Sequence, residues 1–211
     1  TYNSYLIVDE QVTLIDTVEE EFYDTMMERI RSVIGERTID NVIVQHAEPD
    51  HSGGFLKFMK DYPNARPYAS NAGVGIMLKQ YFKSYDFQRV KTGDTLSTGR
   101  YTLTFVEMPM IHWPDNMLTY VAEQKIAFSN DAFGQHIASY DIFDDAHGAA
   151  KCIDRAKDYY ANIVMPYGMQ VANKLKQIQD MNLDIDMIAP AHGIISVSYT
   201  HLRAHETDQY L

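Results

Sequence analysis

The densest chemistry in the chain is the run His46-Ala-Glu48-Pro-Asp50-His51, with four metal-ligating or proton-exchanging side chains inside six residues. A hydrophobic core has no use for such a concentration, because ionisable groups are costly to bury unless paired or coordinated. Three further candidates follow at long intervals: His112 in Ile111-His-Trp-Pro-Asp-Asn-Met117, Asp131 in Phe128-Ser-Asn-Asp-Ala-Phe-Gly134, and His192 after Pro190-Ala191. Each lies just past a stretch with strand character, where a rigid strand ends and a loop is free to aim a side chain. A lone histidine is usually a hydrogen-bonded structural residue. Four sharing a strand-end address with three carboxylates are not independent. One tetrahedral ion needs four ligands. Seven candidates (His46, Glu48, Asp50, His51, His112, Asp131 and His192), with one carboxylate between two groups, suit two metals ~3.5–4 Å apart. His136 and His147 fall outside the pattern and read as surface or helix-edge histidines.

The elements that must position these groups can be read from periodicity. Residues 5–8 and 12–16 form an opening hairpin. Val18, Phe22, Met26, Ile30 and Val33 recur at three- and four-residue steps, which predicts a helix over 18–34 with glutamates in its first turn. A short buried strand at 42–45 runs straight into His46, and Ser52-Gly-Gly54 opens a helix through Met59. Strands follow at 66–69 and 87–90, with a helix between them capped by Ser70 or Asn71 and running to about Phe82. Residues 101–108, 117–122 and 125–129 read as three more strands. Helices at 146–160 and 168–182, parted near Pro166, lead to a last strand at 185–189. Strands early and late with helices between predict an α/β fold of two mixed sheets covered by helices, not a doubly wound sheet.

Composition narrows the function classes. Of 211 residues, 45% are apolar and 22% charged, an ordinary globular balance that supplies a sizeable core. The net charge of −11 repels phosphate backbones, which argues against nucleic-acid binding. No apolar run reaches the ~18 residues of a membrane span. The single cysteine, Cys152, cannot form an internal disulfide and suits a reducing, cytoplasmic setting; its helical context reads as a small buried hydrophobe. The start fits either a processed natural domain or a fragment, and the end looks foreign. The chain opens on Thr1 and enters a strand at once. Val197 to Thr207 reads VSYTHLRAHET, the one-frame translation of a transposase-derived sequencing adapter. Residues 197–211 are therefore expected to be a non-native tail, and His201 and His205 are set aside as ligands.

With these residues in view, the sequence resembles the metallo-β-lactamase superfamily, and within it the flavodiiron proteins, also called A-type flavoproteins. Superfamily hydrolases usually place a histidine where this chain has Glu48. The pattern His46-x-Glu48-x-Asp50-His51 matches the flavodiiron variant. The spacings of 61 positions from His51 to His112, 19 to Asp131 and 61 to His192 match as well. The resemblance covers residues 1–195 and includes YNSYLIVDE, AEPDHSGG, IHWPDNM, SNDAFGQH and APAHG. It implies an αβ/βα sandwich, incomplete here, with 1–196 as the metal domain.

The resemblance also implies a cofactor set and an activity. One non-haem iron would take His46, Glu48 and His112, the other Asp50, His51 and His192, and Asp131 would bridge them. Such centres reduce O2 to water, or NO to N2O, with electrons from FMN. The FMN lies in a flavodoxin-like domain that this chain does not include. A rubredoxin-like protein commonly supplies that flavin, and head-to-tail homodimers bring one subunit's FMN to the other's irons. Trp113, the only tryptophan, would face that flavin or pack as a large apolar side chain. Replacing an imidazole by Glu48 shifts the donor preference from zinc towards iron and manganese. Two competing readings remain at this point: a di-zinc hydrolase of the same superfamily, and a metal-binding fragment without turnover. Gly53-Gly54 either lets backbone approach the metal or starts a helix close to the strand. Tyr159, Tyr160 and Tyr167 sit at helix-packing positions, and no single tyrosine stands out as a proton donor.

Overall fold

Alternation along the first strands decides the layering. In β1 (Tyr5–Val8) and β2 (Val12–Ile15), Val12 and Leu14 turn to one side while Ile7 and Ile15 turn to the other. β3 (Asn41–Val44) repeats the pattern, with Val42 and Val44 opposite Ile43. Both faces are apolar, so the sheet must be covered on both. β4 (Arg66–Ser70) and β5 (Gln88–Val90) complete it in the order β1-β2-β3-β4-β5, antiparallel at the first pair and parallel thereafter. This is a computed structural model, and it describes residues 2–197. The tail expected at 197–211 thus lies, Val197 apart, outside the described residues, as do His201 and His205.

The outer face is covered by α1 (Tyr23–Ile34), α2 (Pro49–Ser52), α3 (Phe55–Asp61) and α4 (Asn71–Tyr81). Met26, Met27, Ile30, Phe55, Phe58 and Met77 pack there with Val12, Leu14, Val42 and Val44. The inner face meets a second sheet: β6 (Thr95–Ser97), β7 (Thr102–Glu107), β8 (Met117–Val121), β9 (Ile126–Asn130) and β10 (Met187–Pro190). Its order is β10-β9-β8-β7-β6, parallel only between β10 and β9. Ile15, Ile43, Tyr68, Leu103, Phe105, Met117 and Phe128 fill the space between the sheets. α5 (Ala149–Tyr159) and α6 (Gly168–Asp180) cover the far side through Tyr159, Val171 and Ile178. The layers run helix, sheet, sheet, helix, as the residue pattern predicts.

Several boundaries differ from expectation for physical reasons. The helix expected over 18–34 begins at Tyr23, after a 3-10 turn at Glu20–Phe22. Residues 17 and 18 are engaged elsewhere: Thr17 donates through both N and Oγ1 to the carbonyl of His51 (2.8 Å each), and the Val18 carbonyl accepts from Gly54 N. The helix expected from Ser52 to Met59 is two, broken at Gly53-Gly54. A Cβ on Gly53 would lie 2.8 Å from the Glu20 nitrogen and 3.2 Å from the Glu19 Cα. Gly53 therefore serves the close approach of the 46–54 segment to the 17–20 turn. β6, three residues long, is too short to show a period and was not expected. α5 continues through a π-turn at Tyr160–Val164 into a 3-10 turn containing Pro166. Cys152 is buried, as its helical context predicts. Among the described residues, no helix is long and apolar enough to cross a membrane.

Candidate metal centre

Three strand ends are tied together before any ligand is placed. Asp16, directly after β2 and buried, accepts from Gln45 N (2.7 Å), Gln45 Nε2 (3.2 Å) and Asn130 Nδ2 (3.0 Å). Asn130 takes the left-handed conformation, φ 51°. Its Oδ1 accepts from the Asp131 N–H (2.8 Å) and from Asn116 Nδ2 (3.0 Å). This buried network fixes the exits of β2, β3 and β9 and the entry to β8, so His46 and Asp131 leave rigid anchors.

All seven candidates meet at this end of the sheets, in two groups. His46, Glu48, His112 and Asp131 form the first, and Asp50, His51 and His192 the second. In the first, Glu48 Oε2 lies 3.2 Å from both His46 Nε2 and His112 Nε2. Asp131 Oδ2 lies 3.0 Å from His112 Nε2 and 3.5 Å from His46 Nε2. In the second, Asp50 Oδ2 is 3.3 Å from both His51 Nε2 and His192 Nε2. Asp131 Oδ1 is 3.0 Å from His51 Nε2 and 3.1 Å from His192 Nε2. Asp131 thus divides its two oxygens between the groups. His46, His51 and Asp131 are buried at the floor, while Glu48, Asp50, His112 and His192 form a half-buried rim. Both Asp131 oxygens and His51 Nε2 are buried, and although they lie at ion-pair distance within the cluster, none makes a well-formed hydrogen bond. Buried polar atoms demand a partner, and a pair of cations, one per group, satisfies all three. The donor set fits two metals.

The cluster's electrostatics follow from the same geometry. Burial opposes charging His46, but hydrogen bonds to Asp115 and Glu48 and the charge of Asp131 overcome it and raise its pKa to about 10. Burial likewise opposes His112, and Asp131 with Glu48 raises it to about 9. His112 and His46 hold Glu48 down to about 2. Asp131 is held well below the carboxylate range: burial works against ionisation, but the imidazoles of His112, His192 and His51 outweigh it. In the metal-free protein the raised histidines contribute stability fully below their ordinary 6.5, lost as pH rises through 9–10. Glu48 contributes above its ordinary 4.5, lost as pH falls towards 2. Metal must displace the histidine protons. Metal uptake at pH 7 is expected to release about two protons, with none above about pH 11, and apparent affinity is expected to rise across that range. Titration of metal into weakly buffered protein with a pH indicator reads both.

The structure also shows neighbours that sequence reasoning missed. Asp115 is buried, and its Oδ1 lies 3.1 Å from His46 Nδ1 while Oδ2 accepts from Ala47 N at 2.7 Å. Its place in the IHWPDNM run was the available signal, since an acid three residues past a ligand candidate is well placed to brace the site. Tyr159 packs in the core against α6, as expected, but its ring also lies 5.8 Å from that of His192. Burial, then the charges of Asp131 and Asp50, raise the pKa of its hydroxyl. Tyr2 stands edge-on to His192 at 5.8 Å. Trp113 is half-buried and perpendicular to His46 at 5.1 Å between ring centres. His136 is exposed beside Tyr159, and His147 Nε2 lies 2.9 Å from the Asp141 carbonyl; neither belongs to the two groups.

Comparison with known proteins agrees with this geometry. The model of the ODP family beta-lactamase matches residues 1–193. A nitric oxide reductase of Moorella thermoacetica is 44% identical over 92% of the chain and 49% of that protein. An anaerobic nitric oxide reductase flavorubredoxin of Vibrio vulnificus is 39% identical over 92% of the chain and 40% of that protein. Among solved structures, the rubredoxin oxygen:oxidoreductase of Desulfovibrio gigas superposes with a TM-score of 0.93 at 35% identity, covering 99% of this chain and 52% of that one. The flavodiiron protein of Giardia intestinalis superposes at 0.91 with 31% identity, covering 99% and 51%. The chain spans about half the length of the relatives it matches. It belongs to the ODP family of beta-lactamase-like proteins, and the solved structures it resembles include flavodiiron proteins.

Proposed function

We propose that residues 1–196 form the di-iron domain of an oxygen or nitric oxide reductase. The carrying observation is the division of Asp131 between two histidine–carboxylate groups, each containing a second carboxylate, Glu48 or Asp50. One iron is assigned to His46, Glu48 and His112, the other to Asp50, His51 and His192, with Asp131 shared. Two histidines with carboxylates per metal make a mixed nitrogen–oxygen donor set that suits non-haem iron. Such a pair supplies two electrons and open coordination positions to a diatomic gas. The protein's own contribution is positional. The floor residues exclude water from one side, and the rim leaves the other open. Tyr159, buried beside Asp131 and kept protonated there, is placed to hold a proton at its hydroxyl for the developing product.

The names of the relatives, a nitric oxide reductase and an oxygen oxidoreductase, support both gases, and the proposed products are N2O and water. The electrons are proposed to come from FMN in a flavodoxin-like domain outside residues 1–196, itself fed by a rubredoxin-like donor. A head-to-tail dimer would bring that flavin towards Trp113, and the setting would be cytoplasmic. Residues 197–211 are proposed to be foreign to the fold. Anaerobic loading followed by metal analysis tests the reading: about two irons per chain, redox-active with NO or O2, is the expected result. Retention of zinc alone, with cleavage of a phosphodiester or thioester and no redox turnover, would replace it with the hydrolase.

A further inference from the structure

We propose that Asp115 is a positioning residue for the subsite built on His46, so that its loss weakens the metal held there and spares the other. The inference rests on the two-metal reading above. Asp115 reaches His46 across 69 positions of sequence and meets the ring at Nδ1, so only Nε2 remains to face Glu48 and Asp131. Its second oxygen accepts from the Ala47 N–H, which holds the backbone directly after the ligand. The Asp115 carbonyl accepts from Ser70 Oγ at 3.0 Å, and Ser70 also caps α4 by accepting from Gly73 N at 3.0 Å. The brace therefore extends from the ring of His46 into α4. Asp115 lies three residues after His112, so a single loop carries one ligand of the first group and clamps another.

The second group has no such brace on its buried histidine. Nδ1 of His51 has no hydrogen-bonding partner. The nearby Asp16 carboxylate is occupied by Gln45 and Asn130. A carboxylate behind a ligating imidazole fixes the tautomer, restricts the ring and raises its basicity, and losing it costs ~10–100-fold in metal affinity. The two buried histidines therefore differ, and the share of affinity that depends on Asp115 belongs to the His46 subsite.

The test is anaerobic titration of the full chain and of Asp115→Ala with ferrous iron-57, read by Mössbauer spectroscopy and by competition with a chelator. Wild type is expected to bind two ferrous ions, each giving its own doublet. In Asp115→Ala, one equivalent should weaken by ~10–100-fold and one doublet should change, with the other equivalent and doublet kept. Asp115→Asn, which keeps the shape and removes the charge, should move the same doublet alone. It decides the question if the alanine variant fails to fold. Equal weakening of both irons, or no change in either variant, would overturn the proposal while leaving the two-iron reading intact. Failure of the wild-type chain to bind a pair of metals would overturn both.

Discussion

Asp131→Ala is expected to abolish the paired site: iron content falls from about two per chain to below one, and the single NO turnover expected of the reduced domain is lost. The reason is geometric. Oδ1 lies 3.0–3.1 Å from the Nε2 atoms of His51 and His192, and Oδ2 lies 3.0 Å from that of His112. Among the described residues, no other carboxylate touches both groups. Each metal would lose a ligand and the two would lose the charge that holds them together, an effect well beyond the ~10–100-fold of an outer-shell change. The metal-free protein should suffer as well. Asp131 is the buried counter-charge to imidazoles whose protonation depends on it, and removing one partner of such a cluster costs roughly 3–5 kcal/mol. That loss should be largest below about pH 9, where His46 and His112 are charged, and should shrink above about pH 10. Metal analysis and thermal melts across pH read both effects. Two tightly held irons in Asp131→Ala would show that the carboxylate does not bridge.

How much of this was legible in the sequence depends on distance along the chain. His46, Glu48, Asp50 and His51 announce themselves because four candidate ligands crowd one turn. His112, Asp131 and His192 are legible because each follows an apolar strand by one to five residues, and strands in two facing sheets end at a common edge. The layered fold followed from the same strands. Asp115 was quoted within a motif but given no role, since its partner His46 lies in another loop and only the packing of the sheets joins them. Asp16 and Asn130 are of the same kind: short polar side chains at strand ends, unremarkable until three ends converge on them. The start of α1 was misplaced because Val18 keeps the helical apolar period, yet Thr17 and Val18 spend their backbone groups on the 51–54 segment. Periodicity reports which face is buried and says nothing of where a carbonyl or N–H finds its partner. Tyr159 was legible as core and not as a neighbour of the site, because a helix residue's second contact comes from a chain segment remote in sequence.

The reduced domain, separated from any flavin, is expected to complete one turnover with NO and to fail with O2. Forming N2O and water from two NO takes two electrons and two protons, which two ferrous ions and the surrounding acids can supply once. Forming two waters from O2 takes four electrons and four protons. Two of those electrons must come from elsewhere within the same encounter. The chain's described residues offer no second two-electron store: the single cysteine, Cys152, cannot form an internal disulfide. With O2 the domain should therefore stop after roughly one event and release hydrogen peroxide, the two-electron product. A separate reduced flavodoxin should restore little, because a freely diffusing partner lacks the effective concentration, on the order of millimolar, of a tethered one. The measurement is anaerobic reduction, removal of excess reductant, then rapid mixing with NO or O2, with N2O and peroxide quantified per chain. About one N2O per pair of irons, and no sustained O2 uptake, is the expected result. Continuous O2 consumption with a nicotinamide-dependent reductase as the only addition would show that electrons enter the site without a flavin domain. That outcome would move the electron entry point onto this domain's own surface, and the half-buried Trp113, lying against His46, would be the first residue to replace.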